Sequence, residues 1–216
     1  MNMKRFSVTE SLLGKAGYLL LLCMLMTFAS CSKDTEAPDE YENWVERNTN
    51  YYNHLVDSVN ALLAGSPERT DWRVIKAWTK PADTQGATED YIVVNVLPKD
   101  EDLKVDEAVK DVRPIYTDSV DIHYIGRLMP TTSYPEGAVF DRSYYPPLDR
   151  RFVKPSRMGV NNLVVGVGTA LMNMTLGDHW KVYVPSALGY GSSDYSGIKG
   201  GSVLVFEITL DNIIPM

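Results

Sequence analysis

The spacing of apolar residues predicts one amphipathic helix ahead of the C-terminal half of the chain. Between residues 41 and 64 the apolar side chains recur at near-helical steps. They are Trp44, Tyr51, Tyr52, Leu55, Val59, Leu62 and Leu63. Gly65, Ser66 and Pro67 end the run. This stripe needs a partner, either the rest of the chain, which the helix would cover, or a second copy, for which the helix would serve as a dimerisation arm.

Two strand-like runs follow this helix. In the first, residues 72–78, the side chains of Trp72, Val74 and Trp78 fall on one face. The second, residues 91–97, is rich in β-branched residues. We therefore expect an N-terminal extension over residues 41–113 that contains a helix and strands and ends in a charged connector.

The C-terminal part, residues 114–216, combines strands with one helix. Period-two alternation predicts strands at three places, and their inward positions are Val120, Ile122, Tyr124, Trp180, Val182, Val184, Leu204, Phe206, Ile208 and Leu210. Residues 163–174 show helical spacing, and Gly177 is the expected end of that helix. Strands around a single helix indicate an α+β domain in which an antiparallel sheet wraps around a short helix.

The first residues have the pattern of an export signal. A basic segment precedes an apolar run over residues 16–28, which is short for a membrane-spanning helix. The run ends in Phe28-Ala29-Ser30-Cys31, which resembles a bacterial lipoprotein signal over residues 1–30 with Cys31 as the lipidated residue. An ordinary secretory signal and an uncleaved anchor are the alternatives.

Residues 31–40 are polar and acidic, and they predict a flexible tether. Acidic residues soon after a lipidated cysteine resemble the lipoproteins of Bacteroidetes. These features favour a protein of the cell envelope, anchored to a bacterial membrane by lipid. The outer membrane is the favoured one, and its periplasmic and external faces both stay open.

Composition argues against several classes of function. The net charge of −7 makes nucleic acid a poor partner. After cleavage Cys31 would be the only cysteine, which leaves neither an internal disulfide nor a cysteine-based metal site. The three histidines form no zinc motif, and no Gly-x-Ser-x-Gly elbow occurs. Nucleophilic, metal-assisted and nucleotide chemistry are therefore not indicated.

One group of residues does suggest a site, because apolar and aromatic side chains with few charges stand at the ends of predicted elements: Tyr124, Phe140, Asp141, Val164, Tyr190 and Phe206. For Val164 and Phe206 an ordinary core position is an equally good interpretation. Tyr190 lies between two glycines at the mouth of a loop, which fits a core position less well. Asp141, if buried, needs a polar partner.

Five segments in this order resemble motifs of the FKBP-type peptidyl-prolyl cis-trans isomerases: Val120–Leu128, Phe140–Ser143, Met174–Asp178, Val184–Gly191 and Val203–Ile208. The resemblance implies a half-open antiparallel sheet around a short helix. It also implies a shallow apolar pocket that accepts the proline ring of polypeptide substrates, and a reaction without metal or cofactor.

The resemblance also implies roles for individual residues. Tyr124, Phe140 and Phe206 would form the pocket walls, and Asp141 would hydrogen-bond near the bound amide. The backbone N–H of Val164 and the hydroxyl of Tyr190 would bind substrate carbonyls. The remaining substrate-binding positions are Leu163, Val167 at the floor and Ile198 as a cap from the loop.

The sequence departs from the family pattern at three places. Val167 stands where the family usually has a tryptophan floor. Residues 154–158 lack the phenylalanine usual on the strand before the helix, unless Phe152 shifts into its place. Phe152, Met158 and Trp180 are the candidates to fill the floor at Val167. Residues 199–201, Lys-Gly-Gly, replace a pair of prolines and predict a more flexible loop.

Two functions follow from this pattern. The first is an isomerase that assists the folding of exported proteins. The second is a binding or chaperone module with weak or no isomerase activity, because its pocket floor is altered. A structural surface lipoprotein is a third reading, which rests on the tether alone.

Overall fold

The computed structural model describes residues 39–100 and 103–216. The predicted signal peptide, the lipidation site at Cys31 and nearly all of the predicted tether lie outside these residues. Residues 40–216 form one compact unit. Within the described residues no helix is long and apolar enough to cross a membrane.

A seven-stranded antiparallel sheet forms the body of this unit. Its strands are β1 (Trp72–Lys76), β2 (Tyr91–Leu97), β3 (Ser119–Leu128), β4 (Val139–Arg142), β5 (Ser156–Gly159), β6 (His179–Val184) and β7 (Leu204–Ile214). The order across the sheet is β1-β2-β6-β7-β3-β4, and β5 also pairs with β3. The predicted antiparallel α+β architecture is therefore confirmed.

Strand β3 organises the site because three strands pair with it. It pairs with β7 along its whole length, while β5 and β4 share its other edge. The alternation predicted one buried face on β3. The structure buries both faces, including Asp121 and His123. The reason is the segment between β4 and β5, which covers the polar face: Tyr144 lies edge-on to the ring of His123, with 6.0 Å between the ring centroids.

The short helix α2 (Val165–Leu171) packs against the inner face of the sheet and is shorter than predicted. It ends in tight turns, in which Asn173 N–H donates to Ala170 and Met174 N–H to Leu171. Met174 is still fully buried, which explains why its spacing resembled a continuing helix. Gly177 does not end the helix. It lies in the following turn with φ +80°.

The long helix α1 (Trp44–Gly65) packs against the opposite face of the sheet. Its buried side chains Tyr52, Val56 and Val59 meet Val93 and Tyr183 of the sheet. The prediction that this helix covers the rest of the chain is therefore confirmed. Because α1 and α2 lie on opposite faces, the strands between them are buried on both sides, which explains the three consecutive fully buried residues Ile92, Val93 and Val94 of β2.

The N-terminal extension joins the same sheet, since β2 pairs directly with β6. One prediction for this region was wrong: β1 ends at Lys76, so Trp78 does not share a strand face with Trp72. Trp78 instead lies against Tyr116, with 4.7 Å between the ring centroids, and is 45% exposed. The domain boundary near residue 114 stays a prediction.

Candidate functional site

An apolar cavity of about 160 Å³ opens between the inner face of the sheet and α2. Every residue predicted to bind or act on the substrate, except Ile198, lines it. The complete lining is Ile122, Tyr124, Phe140, Asp141, Met158, Asn162, Leu163, Val164, Val167, Tyr190, Tyr195, Phe206 and Ile208. An apolar cavity of roughly 150 Å³ is known to hold a benzene ring, so this one has room for a single small ring.

Two phenylalanines form one wall of the cavity. Phe140 on β4 and Phe206 on β7 meet edge to face, with ring centroids 5.5 Å apart. Gly126 on β3 makes room for them. A Cβ at position 126 would lie 2.7 Å from the ring of Phe140 and 3.0 Å from that of Phe206. A side chain at position 126 would displace these two rings from the cavity wall, which glycine avoids.

A tyrosine and an aspartate supply the polar part of the wall. The Tyr124 hydroxyl donates to Asp141 Oδ2 at 2.8 Å, and the other carboxylate oxygen accepts the Arg142 N–H. Burial, together with this carboxylate, raises the pKa of Tyr124 well above its ordinary value, so the phenol keeps its proton. Asp141 itself is exposed at the cavity mouth, so its bond with Tyr124 does not offset a burial cost.

The start of α2 contributes backbone and apolar groups. Gly166 lets the helix approach β6, since a Cβ there would lie 2.4 Å from Val184 Cγ1. Val164 stands immediately before the helix, and its N–H donates to no other group within the part of the chain that the structure describes. This N–H is therefore available to a carbonyl group in the cavity.

The cavity floor is built from smaller side chains than a tryptophan. Val167 is buried and lines the cavity, and Met158 of β5 lines it as well. Phe152 does not fill the gap, because it lies in the segment between β4 and β5 and is 82% exposed. Trp180 is fully buried in the core but is not part of the lining. Of the three proposed fillers, only Met158 reaches the cavity.

The loop after β6 closes the cavity with two tyrosines. Tyr190 and Tyr195 stack with ring centroids 4.4 Å apart and planes 13° apart. Burial raises the pKa of Tyr190, with smaller effects from Tyr195 and Asp141, so its hydroxyl also stays protonated.

The expectation that Ile198 caps the cavity was wrong. Tyr195 and Ile198 exchange backbone hydrogen bonds across a turn that contains Ser196 and Gly197, both with positive φ. This reversal buries Ile198 in the core at 4% exposure and leaves Tyr195 at the mouth. Tyr195 was not predicted as a site residue, and its signal in the sequence is weak: an aromatic residue in a polar Gly/Ser loop.

Comparisons with known proteins agree with this geometry. Residues 110–211 match the family model described as FKBP-type peptidyl-prolyl cis-trans isomerase. The chain is 30% identical over 121 residues to the peptidyl-prolyl cis-trans isomerase Mip of Coxiella burnetii, covering 56% of this chain and 47% of that protein. It is 30% identical over 119 residues to the outer membrane protein MIP of Legionella longbeachae, covering 55% of this chain and 46% of that protein.

The chain thus spans about half the length of the curated relatives it matches. Among solved structures, FkpA from Escherichia coli matches with a TM-score of 0.52 at 19% identity, covering 98% of this chain and 75% of that one. At this identity the likeness concerns the fold alone. The predicted roles of the individual site residues stay predictions, although the cavity brings nearly all of them together.

Proposed function

We propose that this chain, whose residues 110–211 match the model of the FKBP-type isomerases, is a peptidyl-prolyl cis-trans isomerase that acts on proline-containing polypeptides. The observation that carries the proposal is the cavity itself. It has the size of one small ring, two phenylalanines and several aliphatic side chains line it, and its polar groups lie at the rim. These features suit an uncharged ring flanked by two peptide carbonyls.

The chemistry asks little of the protein beyond this environment. Resonance gives an amide a rotational barrier of about 18–20 kcal/mol. The tertiary amide before proline has only a small trans preference, so both isomers occur, but they exchange over roughly tens of seconds or more. A catalyst therefore needs only to favour the twisted amide, in which the C–N resonance is broken. In an apolar cavity the less polar carbonyl of that twisted state loses less solvation than the planar amide does.

The rim residues have distinct roles in this proposal. The free N–H of Val164 binds the carbonyl on one side of the proline, and the Tyr190 hydroxyl binds another substrate carbonyl. The hydrogen bond from Tyr124 orients Asp141 toward the bound amide. Phe140 and Phe206 hold the ring, and no covalent step is involved.

A binding or chaperone module is the second candidate, and the cavity floor favours it. Val167 replaces a large aromatic side chain, and only Met158 compensates. Truncating a buried tryptophan typically costs about 3–5 kcal/mol of packing. A proline ring would therefore bind here too weakly to stabilise the twisted amide bond.

Isomerisation of a short X-Pro peptide separates the two candidates. We would purify the full chain in mild detergent and compare it with a Tyr124→Ala/Asp141→Ala double variant and with Val167→Trp. Activity in the parent that is lost in the double variant supports the isomerase. An inactive parent that gains activity in Val167→Trp supports the binding module. Absence of activity from all three proteins would contradict the isomerase proposal.

We also propose that Cys31 is lipidated and anchors the protein in the cell envelope, where it assists the folding of exported proteins. The support is the sequence of residues 1–31, together with the name of the Legionella relative, an outer membrane protein. Labelling cells with a radioactive fatty acid tests the anchor, because Cys31→Ser should abolish incorporation. Equal labelling of the variant would contradict it.

A homodimer through the N-terminal helix stays a prediction. The helix face with the largest apolar surface packs on its own sheet, so a dimer would have to use residues outside it, such as Val45 and Leu62. Sedimentation of the purified chain measures the oligomeric state directly.

A further inference from the structure

The loop that carries the two cavity tyrosines is held at its far end by helix α1. We name residues 189–203 the pocket loop. The indole N–H of Trp44 donates to Ser202 Oγ at 2.8 Å, and the side-chain oxygen of Asn48 accepts the backbone N–H of Val203 at 2.8 Å. Both hydrogen bonds are buried, and each joins residues more than 150 positions apart in the chain. Helix α1 therefore holds the segment that closes the cavity.

Asn48 is built into this contact. Its side chain is fully buried, and its amide nitrogen donates to the Trp44 carbonyl at 2.8 Å while its oxygen accepts from Val203. A buried asparagine in a helix that faces an apolar sheet is costly unless all of its groups are paired. Here the amide nitrogen is paired within α1, and the oxygen is paired with the pocket loop.

The contact continues along the loop toward the tyrosines. The Ser202 hydroxyl that accepts from Trp44 also donates to the Lys199 carbonyl at 2.6 Å. The N–H of Gly200 donates to Asp194, directly before Tyr195, and that of Gly201 donates to Gly191, directly after Tyr190. These hydrogen bonds, joined by the backbone of residues 199–202, thus link α1 to the backbone on which both tyrosines stand.

Gly200 and Gly201 make this part of the pocket loop dependent on contacts with α1 for a fixed conformation. Gly201 has φ +79°, and a Cβ there would lie 2.8 Å from Val45 of α1. Proline could supply neither this backbone conformation nor the two N–H donors. Where the family pattern has stiff prolines, this chain has glycines whose geometry is fixed by hydrogen bonds and by contact with α1.

We propose that α1 is a positioning element for the cavity, with Trp44 and Asn48 as its positioning residues. Through Ser202 and Val203 they set the pocket loop so that Tyr190 and Tyr195 face the substrate. The catalytic consequence rests on the proposed isomerase function, whereas the placement of the two tyrosine rings does not.

The test compares Asn48→Ala and Trp44→Phe with two controls in the full chain. Asn50→Ala makes the same chemical change on the exposed side of α1. Val94→Ala truncates a fully buried core residue of β2 that neither lines the cavity nor hydrogen-bonds to the loop through its side chain. Three quantities are measured: amide hydrogen exchange at Val203 and Gly201, the NMR signals of the Tyr190 and Tyr195 rings, and KM and kcat for an X-Pro peptide.

We expect exchange at Val203 to rise about tenfold or more in Asn48→Ala, because its buried N–H loses its acceptor. The ring signals should shift, and KM should rise by about tenfold with a smaller change in kcat, because the tyrosines contact the substrate beside the rotating bond. Trp44→Phe should change the same quantities in the same direction. Asn50→Ala should leave all of them unchanged, and Val94→Ala should lower the melting temperature without raising KM.

The outcomes separate this inference from the proposed function. Unchanged ring signals in Asn48→Ala overturn the positioning role, as does an unchanged KM in an active enzyme. A parent without isomerase activity would overturn the proposed function. In that case ring signals that shift in Asn48→Ala and not in Asn50→Ala still support the positioning role, and signals that stay in place overturn it.

Discussion

Asp141 and Asp211 lie on opposite sides of strand β3, and they differ in role: the first belongs to the site and the second stabilises the fold around it. Asp141 is exposed at the cavity mouth, where its carboxylate accepts from the Tyr124 hydroxyl and a backbone N–H. Asp211 is 8% exposed, and a single one of its oxygens contacts both His123 and Arg150. One carboxylate faces a space that a ligand can enter, and the other is enclosed by protein.

The buried cluster of His123, Arg150 and Asp211 holds the segment between β4 and β5 against the sheet. Arg150 belongs to that segment and also binds Asp100 at 2.8 Å, so it ties two loops to the polar face of the sheet. Within the described residues, buried atoms of His123, Arg150 and Asp211 still lack a hydrogen-bond partner. The cluster therefore carries a desolvation cost, and its members depend on one another. The comparison shows that the buried carboxylate of Asp211 stabilises the fold, whereas the exposed carboxylate of Asp141, beside the apolar cavity, belongs to the site.

The largest expected effect comes from breaking this cluster. Arg150→Ala should lower the free energy of unfolding by about 3–5 kcal/mol, because it leaves Asp211 buried without its cationic partner. The neighbouring Arg151 is the matched control. Its ion pair with Asp149 is largely exposed, so Arg151→Ala should change the same free energy by no more than about 0.5 kcal/mol. Urea unfolding followed by circular dichroism measures both values.

Measuring the isomerase activity of Arg150→Ala tests whether the buried cluster also affects the site. At a temperature where Arg150→Ala is fully folded, its kcat/KM should stay within about twofold of the parent, because no member of the cluster lines the cavity. If the two arginine variants lost equal stability, the division between support and site would be wrong.

A smaller effect of the opposite kind is expected at the cavity. Asp141→Ala should reduce kcat/KM by about tenfold, because it removes the carboxylate that the Tyr124 hydroxyl orients toward the bound amide. The free energy of unfolding should change by about 0.5 kcal/mol or less, because the carboxylate is exposed and water can replace it.

Asp57→Ala, on the exposed surface of α1, serves as the matched control for Asp141→Ala. It should change neither quantity. A large loss of stability in Asp141→Ala, with activity retained, would reverse the roles that the comparison assigns to the two aspartates.

Much of this arrangement could be predicted from local patterns. Alternation located β3, β6 and β7, and helical spacing located α1. Each of these elements buries an apolar face, and the spacing of apolar residues along the sequence shows that face directly. The residues that line the cavity followed from motifs at the ends of those elements.

The remaining features depend on contacts between distant residues. The cover over the polar face of β3 comes from a segment beyond β4, so alternation could not show that His123 is buried. The exchange of Ile198 for Tyr195 depends on positive φ values within one turn. The contact of Asn48 with Val203 joins the two ends of the described chain, and no periodicity signals it.

The smallest expected effect is a pH dependence of the free energy of unfolding, which comes from an ion pair on the polar face of the sheet. His179 Nε2 lies 3.0 Å from Glu207 on the neighbouring strand, at the partly exposed end of this face. Burial lowers the pKa of His179, but the hydrogen bond and charge of Glu207, together with the Pro98 carbonyl and the charge of Asp100, outweigh it, so the net direction of the pKa is upward from about 6.5. The hydrogen bond from His179 lowers the pKa of Glu207 from its ordinary value, against the opposing effect of burial.

These directions fix the sign of the pH dependence. The histidine contribution is complete below pH about 6.5 and is lost as pH rises through the raised pKa. The glutamate contribution is complete above pH about 4.5 and is lost as pH falls through the lowered pKa. The pair should therefore stabilise the protein most between these values, by about 1 kcal/mol or less. Urea unfolding at several pH values should show a stability difference between the parent and His179→Gln that is largest in this window. A difference that instead grew as pH rose above this window would contradict the assigned pair.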